Sequence, residues 1–591
     1  MQESKLPGRC SHHSTISFHS SNERKQPTLL QMTHCSHHPK FQQLPSLSES
    51  MAFVHVQVDP VPQAFADLRA TFLSGKLEST ETRKILLSNL LHLVNNNLQE
   101  LEASLKQDLG RHSAESRTIE LLPVLNEIQI YLENLESWSK PERLSAGDYS
   151  LENLRWFSNR PRFNVEKHPF VQKVPKGVVL VISPSHYPVR LTLGPLAAAL
   201  AAGCTVFIKA SDSTSATSSL LVSLMDKLLD RSAVRMVNGV FPNTLEVIKF
   251  QWDHIFYAGG GSVAQNIALA ASEGLKSYTV IPSAKCPVVI DPSYDLQKAA
   301  QSILWGKIVN AGQSYTAPDY VVIPQAAQDD LVKAFLDAFS QFFPHWTIHP
   351  GTFTNLIFPS ATFRISSLLQ RTNGDIVIGG RGNRYFNEKD KYHCPTLVTN
   401  VKPEDVLMKD EIFGPILPIV PMPNLQAAIA FAAERANQDH PLTVAIFTND
   451  EEVKRKVFEE MKGGVTVIAN DTFVHPGGSY DHLYQSNLQA AKKTFETFST
   501  HKTFVNSATS LYDYRYPPYT ETDTLMLYEP LRRRLAFEQP LVQISTLNQL
   551  TEDVLKVVHS LQRKETIFGL IVSLQVGLLG TRIVQAMTRA N

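Results

Sequence analysis

The sequence predicts an α/β protein with two successive parallel-sheet domains, and three observations lead there. From Gly177 onward, short apolar runs of strand type alternate with helical stretches. The strand runs are continuous rather than alternating, as expected of strands covered on both faces. The alternation then repeats over residues 281–470, and 591 residues are too many for one ordinary domain.

Taken in order, residues 1–50 are rich in Ser, His, Gln and Pro and lack periodic apolar positions, so they read as a disordered extension. Two Cys-Ser-His-His tetrads lie in it, Cys10–His13 and Cys35–His38. Zinc takes four N/S ligands in recurring spacings, and this arrangement matches no standard finger, so no metal site is expected. Met51 opens the first globular-looking stretch. From Val61 to Trp138 the pattern is helical, with Leu86, Leu87, Leu90, Leu91 and Val94 at i, i+3 or i+4 spacing and Ser79 and Thr82 as capping groups.

After Pro141 the chain turns strand-like and mixed. Val178–Ile182 reads as a buried strand, and Leu193–Ala202 as an Ala/Leu helix stopped by Gly203, a residue suited to the left-handed conformation after a helix. Thr205–Lys209 is the next strand, Ser213–Leu229 the next helix, and His254–Tyr257 a further strand. Gly259, Gly260, Gly261 and Ser262 follow it and open a helix. Glycines there let a ligand approach the backbone, and a helix N-terminus favours a phosphate. This β-α-β order argues for a Rossmann-type sheet.

Composition closes off several functions. Lys plus Arg equals Asp plus Glu at 56 each, so no global field points to nucleic acid. Five widely scattered cysteines, Cys10, Cys35, Cys204, Cys286 and Cys394, argue against a disulfide scaffold and fit a reducing, cytoplasmic setting. No secretory signal is visible. The longest apolar run, 567–580, is interrupted by Ser573 and Gln575 and flanked by Arg563, Lys564 and Arg582. It is shorter than the ~18 residues that span a bilayer. Its two readings are a helix packed on the protein and a helix lying on an intracellular membrane surface.

Several motifs, in order, resemble the aldehyde dehydrogenase superfamily, and its class 3 and fatty aldehyde branch in particular. Phe207-Ile208-Lys209-Ala210-Ser211-Asp212 is similar to the family's V-x-K-P-S-E strand end. Asp253–Gly259 is similar to the strand before its G-S-T-x-x-G turn, and Glu411-Ile412-Phe413-Gly414-Pro415 to its E-I-F-G-P signature. Lys493–His501 and Arg515–Tyr519 resemble the closing segments of the class 3 branch. The resemblance covers about residues 60–520. It implies a nucleotide-binding domain over 51–280, a catalytic-type α/β domain over 281–470, and a small oligomerisation arm over 471–507 with strands about 150–172. A tail over 508–591 follows. It also implies NAD or NADP as cofactor, a homodimer, and an aldehyde or lipid-derived small molecule as substrate. Lys209 and Asp212 would hold the adenine ribose, Gly259, Gly260 and Gly261 the turn, Glu411 the nicotinamide ribose, and Phe413 the ring.

The family's chemistry is where the resemblance breaks. Its catalytic loop reads roughly N-x-G-Q-x-C; here Asn310-Ala311-Gly312-Gln313-Ser314 leads into Tyr315. A phenol with a pKa near about 10 is a poor nucleophile at neutral pH. The general base of the family's E-L-G-G-K stretch is replaced by Ile281, which cannot move a proton. The oxyanion Asn of its W-N-Y-P-F stretch is replaced by His186, which can still donate an N–H. The later glycine loop is eroded at Val474–Ser479, and Cys204 and Cys286 both read as small buried residues. A catalytically degenerate family member is therefore expected. The alternative is an oxidoreductase still active on aliphatic aldehydes or a related substrate, moving hydride without a thiol.

Overall fold

A computed structural model of the chain describes residues 61–143, 170–239, 243–281, 284–344, 353–381, 385–462, 466–472, 488–504, 517–518 and 520–521. All of these belong to one compact unit, Val58–Asn591. The expectations for residues 1–50 with their Cys-Ser-His-His tetrads, for strands at 150–169, for the loop Val474–Ser479, for most of Arg515–Tyr519 and for the run 567–580 fall outside the described residues.

The helical stretch forms α1 (Val61–Leu73), α2 (Thr80–Asn95), α3 (Leu98–Leu109), α4 (Ser113–Ser116) and α5 (Leu122–Ser139). Ser79 caps α2 as expected, its hydroxyl accepting from the Glu81 N–H at 3.2 Å. The apolar repeat of α2 is its buried face: Leu86, Leu87, Leu90, Leu93 and Val94 all face the core.

A five-stranded sheet follows, built from β3 (Val178–Ile182), β4 (Thr205–Lys209), β5 (Val234–Val237), β6 (His254–Ala258) and β7 (Ser277–Ile281), after the short β1 (Glu142–Arg143) and β2 (Phe170–Pro175). Its order is β5-β4-β3-β6-β7 and every pair is parallel. β3 and β4 are buried along their whole length, because helices cover both faces. Between them α6 (Arg190–Ala202) is buried at every residue and ends at Gly203, in the left-handed conformation at φ +95°. A side chain there would press on the Leu77 carbonyl, 3.1 Å from the position of a Cβ.

The chain runs outward from β3 to β4 and β5, then returns to lay β6 and β7 on the other side of β3. The crevice at the carboxyl ends of β3 and β6 is therefore a topological switch point, the place where open α/β sheets bind ligands. Helix α7 (Ser215–Leu228) lies between β4 and β5, and α8 (Thr244–Val247) and α9 (Gly261–Glu273) lie on either side of β6.

The second sheet has seven strands: β8 (Cys286–Ile290), β9 (Pro318–Pro324), β10 (Asp375–Ile378), β13 (Thr396–Thr399), β14 (Ile416–Met422), β15 (Thr443–Phe447) and β16 (Thr466–Ala469). Its order is β10-β13-β14-β9-β8-β15-β16, and only the β10–β13 pair is antiparallel. A two-stranded ribbon, β11 (Phe386–Asn387) with β12 (Tyr392–His393), stands apart. β17 (Ser499–Phe504) pairs antiparallel with all of β2, from Ser499 opposite Pro175 to Phe504 opposite Phe170, and β1 flanks the other edge of β2.

Candidate functional site

Helix α10 (Leu296–Ile308), capped by Asp295, delivers the chain into the loop that carries Tyr315. Asn310, Ala311 and Gly312 have φ of 52°, 54° and 70°, three successive left-handed residues. Asn tolerates that region; Ala does not, at a cost of about 1–2 kcal/mol. Gly312 is obligatory, because a Cβ would collide with the Gly414 carbonyl.

A buried polar frame holds this conformation. The Asn310 N–H donates to Glu115 at 2.8 Å, and the Asn310 amide donates to the His186 carbonyl at 2.8 Å and the Gln313 carbonyl at 2.9 Å. Gln313 donates to the Asn310 and Asn355 carbonyls, both at 3.0 Å, and accepts from the Ile357 N–H at 2.9 Å. Arg111 donates to the Asn310 side chain, to the His186 carbonyl and to Glu120. Glu120 in turn accepts the Val189 and Arg190 N–H groups at 2.8 and 2.9 Å, at the start of α6. One buried ion pair thus fixes both the Tyr315 loop and the His186 turn. Arg111, Glu115 and Glu120 are functional-frame residues that sequence reasoning missed. They lie in the helical stretch far from the motifs, and no periodic or motif signal marks them.

Tyr315 points into a cluster of rings. Its ring stands edge-on to His186 at 4.6 Å and 74°, and stacks on Phe413 at 5.3 Å and 28°. His186 also meets Phe413 edge-on at 5.5 Å. Tyr315 is 6% exposed and His186 2%. Burial pushes the Tyr315 phenol well above its ordinary value, with Tyr257 and Glu411 adding to the shift. Phe413 has φ +42°. Its turn is held by Arg364, which donates to the Ile412 carbonyl at 2.6 Å, and by Asp319, which accepts the Ile412 N–H at 3.1 Å. Asp319 is itself paired with Lys285 and Lys307 in the interior.

Burial, and then the Arg111 charge, push His186 down to about 3, so the imidazole is neutral at physiological pH. The folded value lies below the unfolded one of about 6.5, so acid favours the unfolded chain. This group's contribution is complete above about pH 6.5 and is lost as pH falls toward 3, by about 1.4 kcal/mol per unit. Urea unfolding midpoints should therefore fall from pH 7 to pH 4, and less steeply in His186→Asn. An unchanged slope in that variant would contradict the assignment.

Ile281 ends β7 opposite Ala258, and its carbonyl accepts the Gly259 N–H at 3.2 Å. It belongs, with Tyr315, to the same apolar core cluster. Cys286 lies under the loop, its thiol donating to the Tyr315 carbonyl at 3.1 Å. Burial pushes that thiol up to about 12, and the residue does not line the cleft described next.

At the switch point the described residues enclose a cleft of about 300 Å³. Its floor is polar: Ser183, Ser185, Lys209, Ser211, Asp212 and Ser213. His186, Tyr257, Tyr315 and Phe413 close one end. Lys209 is 1% exposed and donates to the Ala210 and Gly239 carbonyls at 2.9 and 3.0 Å and to Asp212 at 2.7 Å. An ammonium has three donors, and these contacts use three. Asp212, with its side chain 40% exposed, lines the cleft. Ser185 and Ser211, which share a hydroxyl hydrogen bond at 2.7 Å, add to the same floor.

The structure brings Lys209, Asp212, His186, Tyr315 and Phe413 together around the cleft and leaves other predicted residues off its lining. Glu411 acts on Tyr315 through its charge but does not line the cleft. Of the glycine run, Gly259 lies against the end of the Tyr257 ring, which a side chain there would displace. Gly260 precedes α9 in an extended conformation, and Gly261 sits at φ +66° facing open space. The cleft touches that helix start through Ala258 and Val263 instead. Among the described residues no group of three or more His, Cys, Asp or Glu is placed to hold a metal, and no helix is long and apolar enough to cross a membrane.

Comparison with known proteins agrees with this architecture. A sequence model described as "Aldehyde dehydrogenase family" matches residues 46–482. Aldehyde dehydrogenase family 3 member B1 of Rattus norvegicus is 32% identical over 489 residues, covering 81% of this chain and 98% of the relative. The dimeric NADP-preferring aldehyde dehydrogenase of the same species is 31% identical over 459 residues, covering 76% and 96%. Among solved structures, a substrate-bound state of Staphylococcus aureus AldH is 27% identical. It superposes with a TM-score of 0.69, covering 80% of this chain and 100% of the other. Aldehyde dehydrogenase C of Pseudomonas syringae, solved with NAD+ and octanal, shares the fold at 20% identity and a TM-score of 0.64.

Proposed function

The chain belongs to the aldehyde dehydrogenase family, and we propose that it keeps the family's nucleotide cleft while lacking the thiol route of aldehyde oxidation. The observation that carries this reading is the stack of the buried Tyr315 on the half-buried Phe413, with His186 against its edge. Covalent oxidation needs a thiolate to attack the carbonyl, a group to stabilise the oxyanion, and a base to activate water. A buried phenol held well above its ordinary pKa supplies no nucleophile. Ile281 supplies no base. Cys286 is no replacement, because burial raises its thiol pKa, the thiol donates to the Tyr315 carbonyl, and the residue does not line the cleft. Only the oxyanion role survives in principle, through a neutral His186 N–H.

The cofactor question divides along the cleft. NAD or NADP, when bound, accepts the hydride in this family's reaction. The polar floor with Asp212, Ser185 and Ser211 fits a ribose and its neighbours. The ring cluster at the other end fits poorly, because Tyr315 already covers a face of Phe413. No hydride step is assigned to this chain.

For assembly, we propose a homodimer joined through the β1-β2-β17 sheet. Phe504 at its edge is 49% exposed and stacks on Phe170 at 5.0 Å. The rat relative named as dimeric supports this reading.

One preparation of the full chain tests both points. Assayed with medium- and long-chain aldehydes plus NAD or NADP, it is expected to fall short of a working member by on the order of 10⁶-fold, the loss typical of a removed nucleophile. Light scattering should give twice the 66.0 kDa chain mass. Turnover of about 1 per second or faster would end the first proposal, and a monomer mass the second.

A further inference from the structure

The volume and the two unlike ends of the cleft decide what can occupy it. Ligand pockets run from about 300 to 1,000 Å³, and at about 300 Å³ this one is at the small limit. A dinucleotide carries two heterocycles and needs a flat recess for each. At the aromatic end that recess is filled by the protein's own rings. A ring inserted between Tyr315 and Phe413 would need about 7 Å, twice the ~3.5 Å contact distance of stacked carbons. Their centroids are 5.3 Å apart. His186 blocks the remaining side at 4.6 and 5.5 Å from the same two rings. Tyr315 and His186 are buried, and the half-buried Phe413 sits on a turn held by Arg364 and Asp319.

The polar end is built differently. The Lys209 ammonium is locked onto two carbonyls and Asp212, which orients the carboxylate beside the Ser185–Ser211 hydroxyl pair. A carboxylate flanked by hydroxyls suits a ribose diol. Ile182 and Val263, which also line the cleft, offer apolar surface to one base. Helix α9 reaches the cleft through Val263 in its first turn, and a helix N-terminus favours a phosphate.

We propose that the cleft binds a single nucleotide, a nucleoside mono- or diphosphate, and that the Tyr315–His186–Phe413 cluster excludes the second half of a dinucleotide. This builds on the reading above that the cleft is the nucleotide site of the chain. It makes the substitution at Tyr315 a determinant of ligand choice as well as a lost nucleophile.

Calorimetric titration of the full chain with ADP, ADP-ribose, NAD, NADP and nicotinamide mononucleotide tests it. ADP is expected to bind at least as tightly as NAD. Asp212→Ala should weaken ADP at least tenfold. Tyr315→Ala, its folding checked by a thermal melt, should improve NAD relative to ADP at least tenfold. NAD binding tenfold tighter than ADP to the unaltered chain would overturn this inference and leave the nucleotide cleft standing. Binding of none of the five would overturn both.

Discussion

Introducing Tyr315→Cys and Ile281→Glu together is expected to create aldehyde-dependent reduction of NAD or NADP where neither change alone does. The physical argument has two parts. Removing the Tyr315 ring frees a face of Phe413 and the edge of His186, which now close that end of the cleft. A cysteine at the same backbone position inherits a loop already fixed by Asn310, Gln313 and Arg111. A glutamate at the end of β7 would sit in apolar surroundings, since Ile281 is only 5% exposed. Such burial raises a carboxyl pKa toward neutrality, the range in which a general base works best. The double variant should exceed the parent by at least about 10³-fold, the scale of nucleophilic and acid–base contributions combined. Steady-state absorbance at the reduced cofactor band measures it. Activity no higher than the parent's, in a variant that melts as a folded protein, would show that the scaffold has drifted as well as the chemistry.

Breaking the Arg111–Glu120 pair is expected to give the largest loss of stability of any single polar change. Both side chains are fully buried. Removing Arg111 leaves the Glu120 charge without an ion partner in the interior, which costs about 3–5 kcal/mol; removing Glu120 leaves Arg111 only the longer 3.8 Å contact with Glu115. Glu120→Ala also leaves the Val189 and Arg190 N–H groups without their carboxylate, and Arg111→Ala frees the Asn310 side chain and the His186 carbonyl. The double replacement should therefore not recover full stability, unlike a simple buried pair swapped for apolar residues. Urea unfolding of the two single variants and the double gives the comparison. A loss below about 1 kcal/mol in either single variant would contradict this account of the frame.

Much of the architecture follows from local pattern. Val178–Ile182 and Thr205–Lys209 form the strands their unbroken apolar runs predict, because continuous burial is a property of the segment itself. Helix α6 shows the limit. Its apolar run suggests a start at Leu193, yet it begins at Arg190. The extra turn is held by Glu120, 70 residues away, which no local rule can find. Cys286 reads as a small buried residue and is buried, but its contact with the Tyr315 carbonyl arises only where β8 and the loop meet.

The sequence by itself determined the family, the parallel sheets and the identities at Tyr315, Ile281 and His186, since these are matters of residue type and order. Tertiary structure alone decided what those identities do. It stacked Tyr315 on Phe413, placed Ile281 in the same core, tied Lys209 to its own strand end, and left Asp212 facing the cleft. The reason is range: a motif encodes which groups are present within a few residues. Whether a ring fills a pocket or a charge faces it depends on side chains brought together from distant parts of the chain.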